Sequence, residues 1–145
     1  MSVEQVARDF VMNMFNESKA KAMLAPGAMG DGGVLPAPMP LADSFAFAKA
    51  LITAFPDMKM DVKQVTVNGD QATVKVQWGG TNSGALSFPM PGMPSLPATG
   101  KKVSVMDGYV VTVKNDKITH MTVDSPMDGG IPAAMAQLGI KMPGM

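Results

Sequence analysis

The residues able to do chemistry fall late in the chain, in the stretch 101–124, KKVSVMDGYVVTVKNDKITHMTVD. At a period of two, Val103, Val105, Asp107, Tyr109, Val111 and Val113 share one face of an extended strand, and Lys102, Ser104, Met106, Val110, Thr112 and Lys114 share the other. A carboxylate among valines loses hydration, so its burial is costly unless the group is paired or put to use. General-base work suits Asp107, and the Tyr109 hydroxyl on the same face is within reach of the same space. A turn at Asn115-Asp116 leads into a second run, 118–124, which carries the one histidine, His120, and ends in Asp124. Asp107, Tyr109, His120 and Asp124 are therefore the candidate catalytic residues. Each has a structural use as well. Asp107-Gly108 is also a hairpin dipeptide that would leave the acid in solvent, His120 suits an exposed strand position, and Asp124 suits a cap on the turn at Ser125-Pro126.

Composition narrows the partners. Twelve basic and twelve acidic side chains cancel without a basic run, so there is no electrostatic footprint for nucleic acid or an anionic membrane. The expected partner is a small apolar molecule. The absence of cysteine removes disulfides, thiolate metal sites and a cysteine nucleophile, and one histidine removes the usual multi-histidine metal sites. Neither metal nor cofactor is expected. The length, 145 residues, suits one domain, 1–145, with a real core. Glu4, Arg8 and Asp9 interrupt the apolar run a signal peptide needs, and no apolar run reaches the roughly 20 residues of a membrane span, so a cytoplasmic location is expected.

The elements that must position these residues are legible in outline. Ser2 and Gln5 form a capping-box pattern before Val3, Val6, Ala7, Phe10, Met14 and Phe15, which recur at helical spacing and predict a helix that fades over 21–25. The glycine, proline and methionine content of 25–40 predicts a loop suited to cover an apolar cavity, and 89–100 reads the same way. Asp43 can cap a second helix with Phe47, Ala50, Leu51, Ala54 and Phe55 on its buried stripe. Strands follow at 58–67, with a parity shift at Val65 that predicts a bulge or a twist, and at 72–78 after the hairpin dipeptide Asn68-Gly69. A short strand is expected at 84–88, then the long strand from 101 and the last at 118–124. Pro132 opens a short helix that Gly139 stops, leaving 140–145 as a frayed tail. Helices covering one face of a sheet make an α+β domain.

With those residues placed, the chain resembles the SnoaL-like polyketide cyclases, within the nuclear transport factor two-like superfamily, over 3–139. The resemblance rests on AFPDMKMDVKQVTVNGDQATV, on GGTNSG, which is similar to the family's Gly-Thr-His-Thr-Gly turn, on ATGKKVSV, on VVTVKNDKI and on AMAQLG, in that order. It implies a cone-shaped α+β barrel: a curved antiparallel sheet wrapped around the N-terminal helices and an internal apolar cavity. It also implies acid/base chemistry without a cofactor, and a homodimer. Asn82 stands where the family turn has histidine and cannot act as a base near neutral pH. Tyr109 stands where the family's long strand commonly has its acid, with Asp107 two residues earlier on the same face. The family's last-strand histidine and tryptophan fall on Met121 and Thr122, which puts His120 on the opposite face unless the strand has slipped by one residue. Asp124 and Asp128 both remain open for the family's later acid.

Two functions of different class follow. The first is a cofactor-independent enzyme that cyclises or isomerises a small apolar ring-containing substrate. The second is a module that holds such a molecule unchanged. In both, Trp78, Asn82, Phe15, Met14, Phe55, Val105, Val111 and Met121 are the expected substrate-binding wall, and the methionines in the loops suit varied apolar ligands.

Overall fold

The computed structural model describes residues 2–32, 37–87, 95–126 and 129–139. Helix α1, Val3–Met12, begins with the capping box: Ser2 Oγ accepts from Gln5 N–H at 3.1 Å, and Gln5 Oε1 accepts from Ser2 N–H at 3.2 Å. Val6, Ala7, Phe10 and Val11 form its buried stripe. The expected single helix is in fact two. Asn13 turns its amide back onto the Asp9 carbonyl at 2.7 Å, and Asn16 caps a new helix, α2, Glu17–Ala22, by accepting from Lys19 N–H. Short amides that bond the local backbone compete with helix continuation, which is why the stripe pattern alone runs past the break.

Residues 24–32 depart further from expectation. Instead of a loop they form β1, Leu24–Gly32, which lies parallel to the last strand, β6, Lys117–Val123, with Met29 opposite His120 and Asp31 opposite Thr122. Gly27, at φ 74°, lies where the register shifts. No alternation marks this strand, because a proline and glycines interrupt it and its partner lies some ninety residues away. Residues 33–36 lie outside the described residues, and β2, Met39–Pro40, pairs back on β1.

Helix α3, Leu41–Ala54, follows directly. Its N-cap is Pro40, which offers no side-chain bond, and Asp43 sits in the first turn rather than at the cap, where its charge still favours the helix N-terminus. Strands β3, Lys59–Asn68, and β4, Gln71–Thr81, form the expected hairpin, with Gly69 and Asp70 as the two turn residues, one place later than the dipeptide suggested. The bulge expected from the parity shift falls between Val62 and Gln64. In place of a strand at 84–88 there is a single bridge, Leu86 to Leu96, and 88–94 lie outside the described residues. Strand β5, Lys102–Lys114, pairs with β4 along its length and with β6 from Tyr109 onward. Helix α4, Gly130–Gln137, begins two residues before Pro132; 140–145 lie outside the described residues.

The sheet order is β2-β1-β6-β5-β4-β3. It is curved and mixed rather than wholly antiparallel, because of the β1–β6 pair, and it stays open, so the barrel is not closed. The helices cover one face, where Phe10, Phe55, Leu41, Val74, Val76 and Val111 are fully buried. The far end of β4 is pinned by Asp57, whose Oδ1 accepts from Thr81 N–H at 2.6 Å.

That bond, with Thr81's hydroxyl and a small contribution from Lys102, holds the Asp57 carboxyl below the usual carboxylate range. A carboxyl depressed on folding contributes stability that is present above its unfolded pKa of about 3.9 and is lost as pH falls through the folded value. Asp57→Asn should therefore flatten the acid side of the stability profile, below about pH 4, while changing the neutral side less. Urea midpoints measured across that range check it, and an unchanged acid limb would remove Asp57 from the account.

Candidate active site

Asp107 sits mid-strand in β5, opposite Val76 of β4, and is 5% exposed. The strand runs unbroken through Asp107-Gly108, so the hairpin alternative does not hold. All six residues of the expected inner face, Val103 to Val113, are buried. Burial strips the carboxylate of water, and three donors replace it. Trp78 Nε1–H donates to Oδ2 at 3.1 Å, Gly108 N–H donates to Oδ1 at 2.8 Å, and the Ser125 hydroxyl donates to Oδ1 at 2.6 Å. A carboxylate has about four acceptor sites. Both sites on Oδ1 are filled and one on Oδ2 is filled, so that among the described residues the second lone pair of Oδ2 has no donor.

Each donor is held by the fold. Trp78 lies two residues beyond Val76 on the inner face of β4, and Phe55 packs edge-on against its ring at 6.2 Å. Ser125 continues the inward parity of Met121 and Val123 past the end of β6. Above it, Gly130 opens α4 at φ 68°, and a Cβ there would lie 2.4 Å from Ser125 Oγ. Only glycine suits both that backbone and that approach.

These groups face an apolar cavity between the helices and the sheet. The space open to the centre of a water-sized sphere is about 90 Å³, several times the roughly 15 Å³ that one water needs. Of the expected residues, Met14, Phe15, Trp78, Asp107, Tyr109 and Met121 line it. Tyr109 is buried, and both that burial and the Asp107 charge push its phenol above the usual range, so it stays a proton donor. No hydrogen bond among the described residues uses its hydroxyl.

The other expected residues lie elsewhere. Asn82 is buried but away from the cavity: its amide donates to the Ala54 and Gly84 carbonyls at 3.3 and 2.9 Å, and its oxygen accepts from Thr99 N–H and Oγ1–H, each at 2.9 Å. With every site used, it is a clamp between α3 and the segment before β5. Phe55, Val105 and Val111 are core residues behind the cavity wall. Asp124 is exposed and its N–H donates to the Gly108 carbonyl, so it borders the strand end while Ser125 turns inward. His120 lies on the other face of β6, with Nε2 at 3.4 Å from Asp31 Oδ2. Thr122 and then His120 hold the Asp31 carboxyl below the usual range. Asp128 lies outside the described residues. The cavity also takes residues that the sequence did not single out for it, Phe10, Phe45, Phe47, Ser44, Ile131 and Ser125. Among these, the parity of β6 pointed to Ser125. Among the described residues no three histidine, aspartate or glutamate side chains gather closely enough to hold a metal ion, and no helix is long and apolar enough to cross a membrane.

Residues 5–123 match the family model of the SnoaL-like polyketide cyclases. No curated relative matches by sequence. Among solved structures, a SnoaL-like polyketide cyclase homologue from Jannaschia is 20% identical, with a TM-score of 0.69 over 94% of this chain and 96% of its own. IdmH of Streptomyces antibioticus, a proposed polyketide cyclase, is 18% identical, with a TM-score of 0.70 over 97% of this chain and 100% of its own. AclR of Streptomyces galilaeus, a proposed hydroxylase, is 18% identical, with a TM-score of 0.70 over 99% of this chain and 86% of its own. At these identities the likeness to each is one of fold.

The support of Asp107 through Ser125 and Gly130 is testable by stability. Gly130→Ala should cost about 1–3 kcal/mol, from the disfavoured φ and the clash. Ser125→Ala should cost about 1 kcal/mol for the lost bond. The double variant should cost less than the sum, because the clashing hydroxyl is gone. Additive losses in urea denaturation would show that the two residues do not act on each other.

Proposed function

Since the chain belongs to the SnoaL-like polyketide cyclase family, we propose that it is a cofactor-independent acid/base enzyme acting on a small apolar, ring-containing carbonyl compound, with Asp107 as the general base. One observation carries this reading: Asp107 is the one carboxylate among the described residues lining the cavity, and the donors on it leave acceptor capacity on Oδ2. In the proposed reaction Oδ2 takes a proton from the carbon beside a carbonyl, and the C–H electron pair moves through the enolate to the carbonyl oxygen. The Tyr109 hydroxyl donates to that oxygen, and the surrounding apolar wall strengthens the bond by excluding water. The enolate carbon then attacks a second carbonyl of the same molecule, forming a carbon–carbon bond, and the new alkoxide recovers the proton from Asp107. Return of the proton to a different carbon would give an isomerisation instead.

A second reading has its own support. Three donors on one carboxylate would equally serve a purely structural acid, and the cavity would then hold an apolar molecule unchanged. A panel of small ring ketones in deuterated water separates the two. The enzyme should exchange the hydrogens beside the carbonyl, and Asp107→Asn should slow that exchange by roughly 100-fold or more, with ligand affinity within a few fold and the melting curve intact. Binding without exchange across the panel would leave the binding module as the function. Absence of saturable binding by any of the panel, or by an apolar dye, would remove both.

The outer face of β5 supports a homodimer as part of the same proposal. Met106, 42% exposed, and half-buried Val110 lie on the side away from the helices and suit packing against a twofold mate. A cytoplasmic location also belongs to this proposal. Light scattering at micromolar concentration should give the mass of two 15.1 kDa chains, and the mass of one would end the dimer proposal.

A further inference from the structure

A groove on the surface, about 210 Å³ by the same measure as the cavity, lies between the α1–α2 turn and α3. Met14, Phe15, Phe45 and Ala48 line both spaces, so only one layer of side chains separates groove from cavity. Two of those four, Met14 and Phe15, sit in the break between α1 and α2, outside regular helix. On the α3 side, Phe45, Ala48 and Ile52 follow helical spacing and make an apolar floor, and Lys49 stands at the rim. Glu17 is the acid on the opposite rim, and Lys21 already engages it at 3.6 Å. Lys49 has no ion-pair partner among the described residues. The groove therefore joins an apolar path into the cavity with one uncompensated positive charge at its outer end.

We propose that this groove is the mouth of the cavity and an outer subsite for a carboxylate, so that the substrate is a ring compound bearing a carboxylate arm. The ring enters past Met14 and Phe15 to reach Asp107, and the arm stays in the groove with its carboxylate at Lys49. Lys49 is the one groove-lining cation free of an ion pair among the described residues, and with Glu17 across from it this favours a singly charged carboxylate over a doubly charged phosphate, whose second charge would face Glu17 uncompensated. The orientation is equally constrained. A carboxylate carried inward would face the Asp107 carboxylate in an apolar space, where like-charge repulsion and lost hydration both oppose it, so the arm must point outward. This rests on the proposed function only in placing the ring at Asp107.

Calorimetric titration with naphthylbutanoate and with its methyl ester tests the proposal. The acid should bind about 2- to 5-fold more tightly than the ester in low salt, as expected for an ion pair to the exposed Lys49. Lys49→Gln should erase that preference while leaving ester affinity unchanged. Ile52→Glu, on the groove side alone, should weaken the acid more than the ester, because both lose apolar floor and only the acid meets a second negative charge. Equal affinities of acid and ester for the wild type, or a preference that survives Lys49→Gln, would overturn the subsite without touching the cavity. Failure of both ligands to bind would overturn the subsite along with the ligand-holding cavity on which the proposed function depends, whereas tight binding with no exchange chemistry would leave the subsite standing and remove only the enzyme.

Discussion

The buried carboxylate of Asp107 is the constraint around which the site is built. An ionised group among Val105, Tyr109 and Trp78 would be strongly unfavourable without compensation, and the compensation comes from three separate parts of the chain. Trp78 belongs to β4, Gly108 to β5 and Ser125 to the segment after β6. Satisfying one acid thus fixes the relation of three neighbouring segments. The same bonds orient the carboxylate, because they leave acceptor capacity on Oδ2 alone.

The sheet and helices divide the labour. The sheet supplies the polar groups, which need fixed directions, and a paired strand holds a side chain to one face. The helices supply Phe10, Phe45, Phe47 and Leu51, which need only fill space and exclude water. Helix α4 does some of each: Ile131 and Pro132 close the cavity, and Gly130 allows the helix to start close to Ser125. At its other end Gln137 pairs with the backbone of Ser104, accepting from N–H and donating to C=O, both at 2.9 Å. That pairing covers a stretch of β5 that β6 does not reach, and so anchors the helix whose first turn borders Asp107.

Neighbours of near-equal TM-score bear different proposed activities, a cyclase in IdmH and a hydroxylase in AclR, which shows how little of the chemistry the fold itself dictates. Within this chain the polar residues divide by position. Asn82 is a structural clamp with every hydrogen-bonding site used. Asp107 and Tyr109, two residues apart on one strand, share the face that lines the cavity. His120, one residue before the cavity-lining Met121, faces away, beside Asp31.

The inner face of β5 and the hairpin of β3 and β4 were determined by the sequence alone, while for the burial of Asp107 and the bulge near Val62 it offered each beside an alternative that the structure closed. These follow from strand parity, a property of the local backbone that leaves a trace every second residue. Tertiary structure decided the rest. The parallel pairing of 24–32 with β6, the gathering of Phe45 and Phe47 at the cavity, the approach of Gly130 to Ser125 and the full satisfaction of Asn82 all join residues far apart in the chain. Contacts of that kind depend on which elements meet, and no periodic pattern within either partner records the meeting. Asp124 and Ser125 draw on both sources: the parity of β6 turns the serine, and not the acid beside it, toward the cavity, and the approach of Gly130 at the start of α4 covers it where it meets Asp107.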